Sequence, residues 1–392
     1  VDPASFLGDE LPALFAERAG LLASSRHLVL RALVVEVDGD TWTLRRPAGD
    51  AVPSIERGGC TAEGEKRLRL SLTAQQLDDL VHDEVTPIGW MTAGADVQPE
   101  GRIGHLLDWW LVLRSALDER PVHEAGAVVV DADLGRSFTL DDDPAELRAF
   151  LEEAGYLHLR AVFTEDEMAA ISADMDEAES SYQDGDGRSW WATLDDGIRR
   201  VVRMQAFDTR SDATAALLED ERFPALGGLL GAGHVHRRRT ENKIEALFKP
   251  IGVQEGISDV PWHKDCSLGR HSYECCAVTA GISVTGAGPG TGQLRVAAGS
   301  HRALVWPSLQ DVEAELDLPV VDLATETGDV TLHLSCTLHM AEPPVTAERR
   351  VLYTTFGLPP ADPEANRAAN RRLLAASREQ ASQHVTQAAA TR

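Results

Sequence analysis

Phe6, Leu7, Leu11, Leu14, Phe15 and Leu21 recur at roughly helical spacing, which predicts a helix over residues 5–24 within an N-terminal helical segment, 1–25. The next stretch, HLVLRALVVEVDGDTWTLRR, holds two β-rich runs around Asp38-Gly39, a dipeptide that favours a tight hairpin turn. KRLRLSLT alternates basic and apolar residues, as a strand with one buried face does, and TAQQLDDLVHDE follows as a helix starting near Thr73. In GRIGHLLDWWLVLRSALD, residues Ile103, Leu106, Leu107, Trp110, Leu111 and Leu113 form one broad apolar stripe. That stripe suits a core helix, or alternatively one wall of a lipophilic cavity. Residues 119–142 carry one short apolar run and then acidic positions, and read as a connector.

The pattern changes after residue 142. Asp143, Pro144 and Glu146 have the order of an N-cap, an N1 proline and a capping-box acid, and the helix they open should stop at Gly155. YLHLRAVF reads as a strand, and Thr164 with Glu167 opens a second helix. From 190 to 360 short apolar runs alternate with glycine-rich turns: IRRVVRMQAF, KIEALFKPIG, CCAVTAGISV, GQLRVAAG, DVTLHLS and RVLYTTFG. Such a series predicts a closed or sandwiched β architecture. The tail from 361, rich in Ala, Arg, Asn and Gln, reads as a surface helix.

A chain of 392 residues exceeds one ordinary domain, so two domains with tails are expected: 26–118 and 143–360, joined by 119–142. The hydrophobic share of 43% is ordinary for a protein with buried cores. A formal charge of -26 argues against nucleic acid and anionic membrane surfaces as partners, and leaves small molecules open. Five cysteines, Cys60, Cys266, Cys275, Cys276 and Cys336, make an odd set with no C-x-x-C, which fits a reducing cytoplasm better than a disulfide framework. Neither a signal peptide nor a bilayer-length apolar run is present.

The chemistry concentrates near the C-terminal half. His263 and Asp265 in PWHKD are two apart, so on extended backbone both side chains leave the same face. With a distant histidine, His339 in TLHM, they make the two-histidine, one-carboxylate set that holds non-haem Fe(II) and leaves coordination positions open. An arginine shortly after the second histidine suits a dicarboxylate co-substrate, because guanidinium pairs with carboxylate in a planar fork. Two competitors remain on pattern alone. His333, six residues before His339, would share its face on a continuous strand, and Arg349 neighbours Arg350, only one of which can point inward.

The region from about 144 to 360 resembles the phytanoyl-CoA dioxygenase family of Fe(II)/2-oxoglutarate oxygenases. The resemblance rests on five ordered segments: FLEEAGYLHLRAVFTEDEMAAI, Lys249-Pro250 followed by PWHKD, GTGQLRVAAGSHR, GDVTLHLSCTLHMAEPP, and the arginine eleven residues after the distal histidine, which here is Arg350. It implies an α+β chain whose C-terminal core is a double-stranded β-helix, a jelly roll of cupin type, flanked by helices. It also implies Fe(II), 2-oxoglutarate and O2 as cofactor and co-substrates, with His263, Asp265 and His339 on the metal and Arg350 on the far carboxylate. Asp265 favours hydroxylation over halogenation, which in related enzymes goes with loss of the carboxylate. Two positions depart from the family: Ala341 replaces a small hydroxyl residue, and Ala280-Gly281 replaces a tryptophan, changes that would reshape the 2-oxoglutarate pocket or enlarge the substrate cavity. Ser300 and His301 read as turn residues, and residues 180–200 as a surface loop or lid.

Residues 26–118 weakly resemble a sterol-carrier-protein-2-like module. That would make the N-terminal domain a seat for a lipid-like or carrier-bound ligand, or else a degenerate domain that stabilises the enzyme. The expected activity is oxidation of a C–H bond in an organic small molecule. The alternative is a ligand-binding protein on an inactive oxygenase scaffold.

Overall fold

The computed structural model describes residues 1–47, 52–59, 67–92, 100–231, 233–236, 243–256, 259–267 and 277–359. The tail from 361, the turn at 93–94 and Cys60, Cys275 and Cys276 lie outside the described residues. The chain divides into two compact units, one built from Val1–Val129 with Arg302–Ser308 and a piece starting at Cys266, the other from the remainder.

The first unit is a four-stranded sheet under helices. Its order is Ser54–Arg57, Asp40–Arg45, Ala32–Val37, Arg67–Leu72. Asp38 and Gly39 both take positive φ, 49° and 94°, as a hairpin turn of primed type requires. Ala32–Val37 then runs parallel to Arg67–Leu72. The helix expected over 5–24 is broken. Pro12 has no N–H to give the Gly8 carbonyl, so the turn widens into a π-helix, Phe6–Glu10, before Leu11–Glu17 continues. Phe6, Leu11, Phe15, Leu33, Leu70 and Trp110 are among the residues around an apolar cavity of ≈ 50 Å³. An apolar cavity of about 150 Å³ is needed to admit a ring the size of benzene. Among the described residues the helices pack down on the sheet around this small cavity.

The second unit carries two antiparallel sheets. The large one has nine strands, in the order Val253–Glu255, Ser189–Leu194, Arg199–Met204, Glu245–Lys249, Arg349–Gly357, Val278–Ser283, Val330–Leu334, Tyr156–Leu159, with Val235–His236 also on Arg349–Gly357. The small one has the order Val320–Leu323, Leu294–Ala297, His339–Ala341, and His263 bridges to its edge at His339. Two such sheets with consecutive strands shared between them form the expected jelly-roll core.

Alternation assigns the faces of the large sheet. Val278, Ala280, Ile282, Leu332, Leu352 and Phe356 join one apolar core with Leu147, Leu151, Met168, Ile171 and Met175 of the helices Pro144–Ala154 and Glu165–Ala178. Thr279, Gly281, His333, Tyr353 and Thr355 lie on the opposite face, which is polar. Thr164 closes a full capping box with Glu167. Asp143 caps the Ala145 N–H, but Glu146 turns away to pair with Arg136 at 2.7 Å, so that box stays half made. Gly155 ends its helix at φ 86°, as a C-terminal glycine should.

Two segments differ from the sequence expectation. Residues 180–200 are not a free loop: Ser189–Leu194 and Arg199–Met204 form a hairpin that extends the large sheet. The part of the connector near Phe138 is also ordered, with the Phe138 N–H on the His158 carbonyl at 2.8 Å and its ring 1% exposed. An isolated aromatic among acids carries no period, so only burial against Phe150 and Tyr156 reveals its place.

Candidate metal centre

His263 and His339 exchange backbone hydrogen bonds, N–H to carbonyl, at 3.0 Å each way. That pairing sets the two rings side by side, with centroids 4.3 Å apart. Each ring is fixed in the same way. His263 Nδ1 lies 2.7 Å from the Pro261 carbonyl, and His339 Nδ1 lies 3.0 Å from the Thr337 carbonyl. A carbonyl only accepts, so both Nδ1 atoms carry the proton and both Nε2 atoms present lone pairs. Those lone pairs face Asp265 Oδ1 at 3.4 and 3.5 Å.

His263, Asp265 and His339 offer three ligand atoms within 4.8 Å of one another. Two ligand atoms held about 2.1 Å from one ion at a right angle would sit about 3 Å apart. Two imidazole lone pairs and a carboxylate oxygen converging with no proton between them repel, unless a cation joins them. The residues fit a metal.

The protonation directions agree. Burial opposes the charge on Asp265, but His339 and the other imidazoles outweigh it and hold the carboxyl well below its ordinary range. Burial, helped by His339, lowers His263. Burial also opposes charge on His339, yet Asp265 prevails and raises it. A metal at the two Nε2 atoms would favour the unprotonated rings.

His333 is close but placed differently. It sits on Val330–Leu334 of the large sheet, whereas His339 sits on the small sheet, so counting six residues along one strand does not apply. Its Nε2 lies 3.2 Å from Asp265 Oδ2, and burial pushes its pKa down to about 4. The Thr279 hydroxyl donates to the same Oδ2 at 2.6 Å. Neither contact was visible in the sequence, where Thr279 is one hydroxyl among many.

The two neighbouring arginines lie on opposite faces of their strand. Arg350 lies on the helix face of its strand, with Nη1 on the Ser172 carbonyl at 3.0 Å and Nη2 paired with Asp176 at 2.8 Å. It cannot also reach the polar face. Arg349 takes that face instead: it is 1% exposed, Nη1 donates to the Gly292 carbonyl at 2.8 Å, and Nε is buried with no partner among the described residues. Directly across the ladder from Arg349 is Lys249, 4% exposed, with Nζ 3.3 Å from Asp259. Burial pushes Lys249 down to about 8, against the pull of Asp259 and with the help of Arg349. Two buried cations opposite one another are unfavourable unless an anion comes between them.

The packing around Gly281, one of the family departures, is tight. Gly281 lies on the polar face, and a Cβ there would come within 2.9 Å of Tyr353 Cε1 and of Thr331 Oγ1. The Tyr353 ring packs over Gly281 and leaves no room for a Cβ there. Gly281→Ala is expected to cost about 1–3 kcal/mol by overpacking. Urea denaturation would check this, and a second change, Tyr353→Leu, should relieve most of it. Ser300 and His301 serve the backbone: Ser300 Oγ accepts the Leu338 N–H at 2.8 Å, next to His339, and His301 bonds the Glu152 carbonyl at 2.9 Å.

The sequence model of the phytanoyl-CoA dioxygenase (PhyH) family matches residues 151–352, more than half of the 392 residues. This chain belongs to the phytanoyl-CoA dioxygenase family. It is a non-haem iron, 2-oxoglutarate-dependent oxygenase. No curated protein matches the chain. Among solved structures, AviO1 from Streptomyces viridochromogenes Tue57 is 20% identical, with 56% of this chain and 97% of that chain covered and a TM-score of 0.45. EctD from S. alaskensis, with 2-oxoglutarate and 5-hydroxyectoine, is 20% identical over 60% of this chain and 82% of that one, at a TM-score of 0.45. The epimerase SnoN, in complex with Fe3+, alpha ketoglutarate and nogalamycin RO, is 21% identical over 55% and 84%, at 0.42. No helix among the described residues is long and apolar enough to cross a membrane.

Proposed function

We propose that His263, Asp265 and His339 hold the iron of this oxygenase, that Arg349 with Lys249 takes the far carboxylate of 2-oxoglutarate, and that the enzyme oxidises a C–H bond of an organic small molecule. When bound, iron and 2-oxoglutarate supply the activation of O2 for that oxidation, with succinate and CO2 as co-products. The observation that carries the metal assignment is the convergence of two Nε2 lone pairs on Asp265 Oδ1, at 3.4 and 3.5 Å. The carbonyls of Pro261 and Thr337 hold both rings in that tautomer before any ligand arrives, so little reorganisation is needed on binding.

The carboxylate assignment rests on the unpartnered Nε of Arg349 and on the cation opposite it. The guanidinium fixes the direction of the co-substrate, and Lys249 adds charge without directional demand. Lys249 loses its proton as pH climbs through about 8, so its attraction for a carboxylate is lost above that pH. The KM for 2-oxoglutarate is expected to be flat on the acid side and to rise on the alkaline side. Steady-state kinetics across that range checks this, and an unchanged profile in Lys249→Met would remove Lys249 from the account.

Anaerobic titration of the apoprotein with Fe(II) and 2-oxoglutarate tests the whole assignment. A weak visible charge-transfer band is expected only when both are present. Normal folding with no band would sink it.

A further inference from the structure

The two oxygens of Asp265 live in different surroundings. Oδ1 faces the two Nε2 atoms of His263 and His339. Oδ2 is turned the other way and is held by the Thr279 hydroxyl at 2.6 Å and by His333 Nε2 at 3.2 Å. Thr279 and His333 are Cα partners on adjacent strands of the large sheet, so two side chains from one rung aim at one oxygen. An ionised carboxylate only accepts, so His333 carries its proton on Nε2. That leaves Nδ1 as a bare lone pair, and Nδ1 is indeed buried with no partner among the described residues. The ring is further fixed against His339, with centroids 4.0 Å apart.

Resting on the metal assignment above, we propose that Thr279 and His333 are positioning residues that restrict Asp265 to a single bond with the iron. A carboxylate binds a metal through one oxygen or two. A six-coordinate iron with three protein bonds keeps three positions for its co-substrates, and a second Asp265 bond would take one of them. Both donors hold Oδ2 away from the ion, and the clamp comes from the sheet opposite the one that carries His339. The residues thus preserve the open positions and act on the co-substrate through Asp265.

The proposal separates metal affinity from co-substrate affinity. In the full-length protein, anaerobic titration gives the Kd for Fe(II) alone, and then the Kd for 2-oxoglutarate on the iron-loaded protein from its charge-transfer band. Losing a residue that supports a ligand ordinarily weakens metal binding about 10–100-fold, but here the freed Oδ2 would gain a bond to the iron. For Thr279→Val and for Thr279→Val/His333→Leu, Fe(II) affinity should therefore stay within about threefold of the parent or tighten, while 2-oxoglutarate affinity falls by at least about tenfold. His333→Gln, which keeps a donor, should recover most of the loss. If His333→Gln weakens Fe(II) binding tenfold or more, His333 is itself a ligand and the proposal is overturned. Unchanged constants for 2-oxoglutarate in both variants overturn it as well. Should the double variant fail to fold, the near-isosteric Thr279→Val decides the same question alone. Failure of the metal assignment looks different, since the parent would then bind no Fe(II), or His339→Ala would bind it as well as the parent.

Discussion

His339→Ala is expected to lose Fe(II) binding by far more than the 10–100-fold typical of losing a residue that only supports a ligand, and with it all measurable 2-oxoglutarate turnover. The side chain supplies one of three converging atoms, and His333 Nε2 is committed to Asp265 Oδ2. Stability without metal should hardly change. Binding at about 100 times Kd stabilises a folded state by about 2.7 kcal/mol, which is roughly 5–10 °C in Tm for a unit of this size. The parent should show that shift on adding Fe(II), and the variant should not. A variant that keeps both the shift and the turnover would remove His339 from the metal and reopen the competition with His333.

Exchanging the two neighbouring arginines should separate their roles as sharply. Arg349→Leu removes a buried guanidinium from the polar face and leaves Lys249 to hold the co-substrate alone. Loss of one partner from a buried charge pair costs about 3–5 kcal/mol, so the KM for 2-oxoglutarate should rise by roughly 10²–10³-fold. Arg350→Leu instead loses bonds to Ser172, Asp176 and Glu348 and a stack 5.0 Å from the Phe248 ring, all on the helix face. Its side chain is 18% exposed, and partly exposed pairs of this kind are worth about 1–2 kcal/mol of stability together. Its KM for 2-oxoglutarate should move less than threefold. Substrate-saturation curves and urea melts on both variants would settle the matter, and the reverse pattern would restore Arg350 as the clamp.

Spacing from the distal histidine points to Arg350, whereas the structure turns that side chain to the helix face, for a simple physical reason. A strand places consecutive residues on opposite faces, so one residue of difference in the turn before it reverses every side chain. The short connection between His339–Ala341 and Arg349–Gly357 decides that phase, and no local pattern reports it. The same applies to His333 and His339. The chain leaves one sheet after Leu334 and enters the other at His339, so their shared parity carries no information. Residues 180–200 were misread for another reason. Their glycines and aspartates look like a loop, but Asp195, Asp196 and Gly197 only turn a hairpin whose strands are completed by Val253–Glu255 and Glu245–Lys249.

What the sequence determined by itself is whatever depends on neighbours within a few residues. The caps at Thr164 and Gly155, the hairpin at Asp38-Gly39 and the strand alternation from Val278 to Ser283 are all of this kind. Tertiary structure alone decided which face of each strand became the interior. It set Tyr353 over Gly281, Lys249 across from Arg349, and Thr279 beside His333 on one oxygen of Asp265. Each of those contacts joins strands distant in sequence. The free energy that fixes them comes from burying the opposite, apolar face of the sheet against the helices, far from the residues whose orientation it sets.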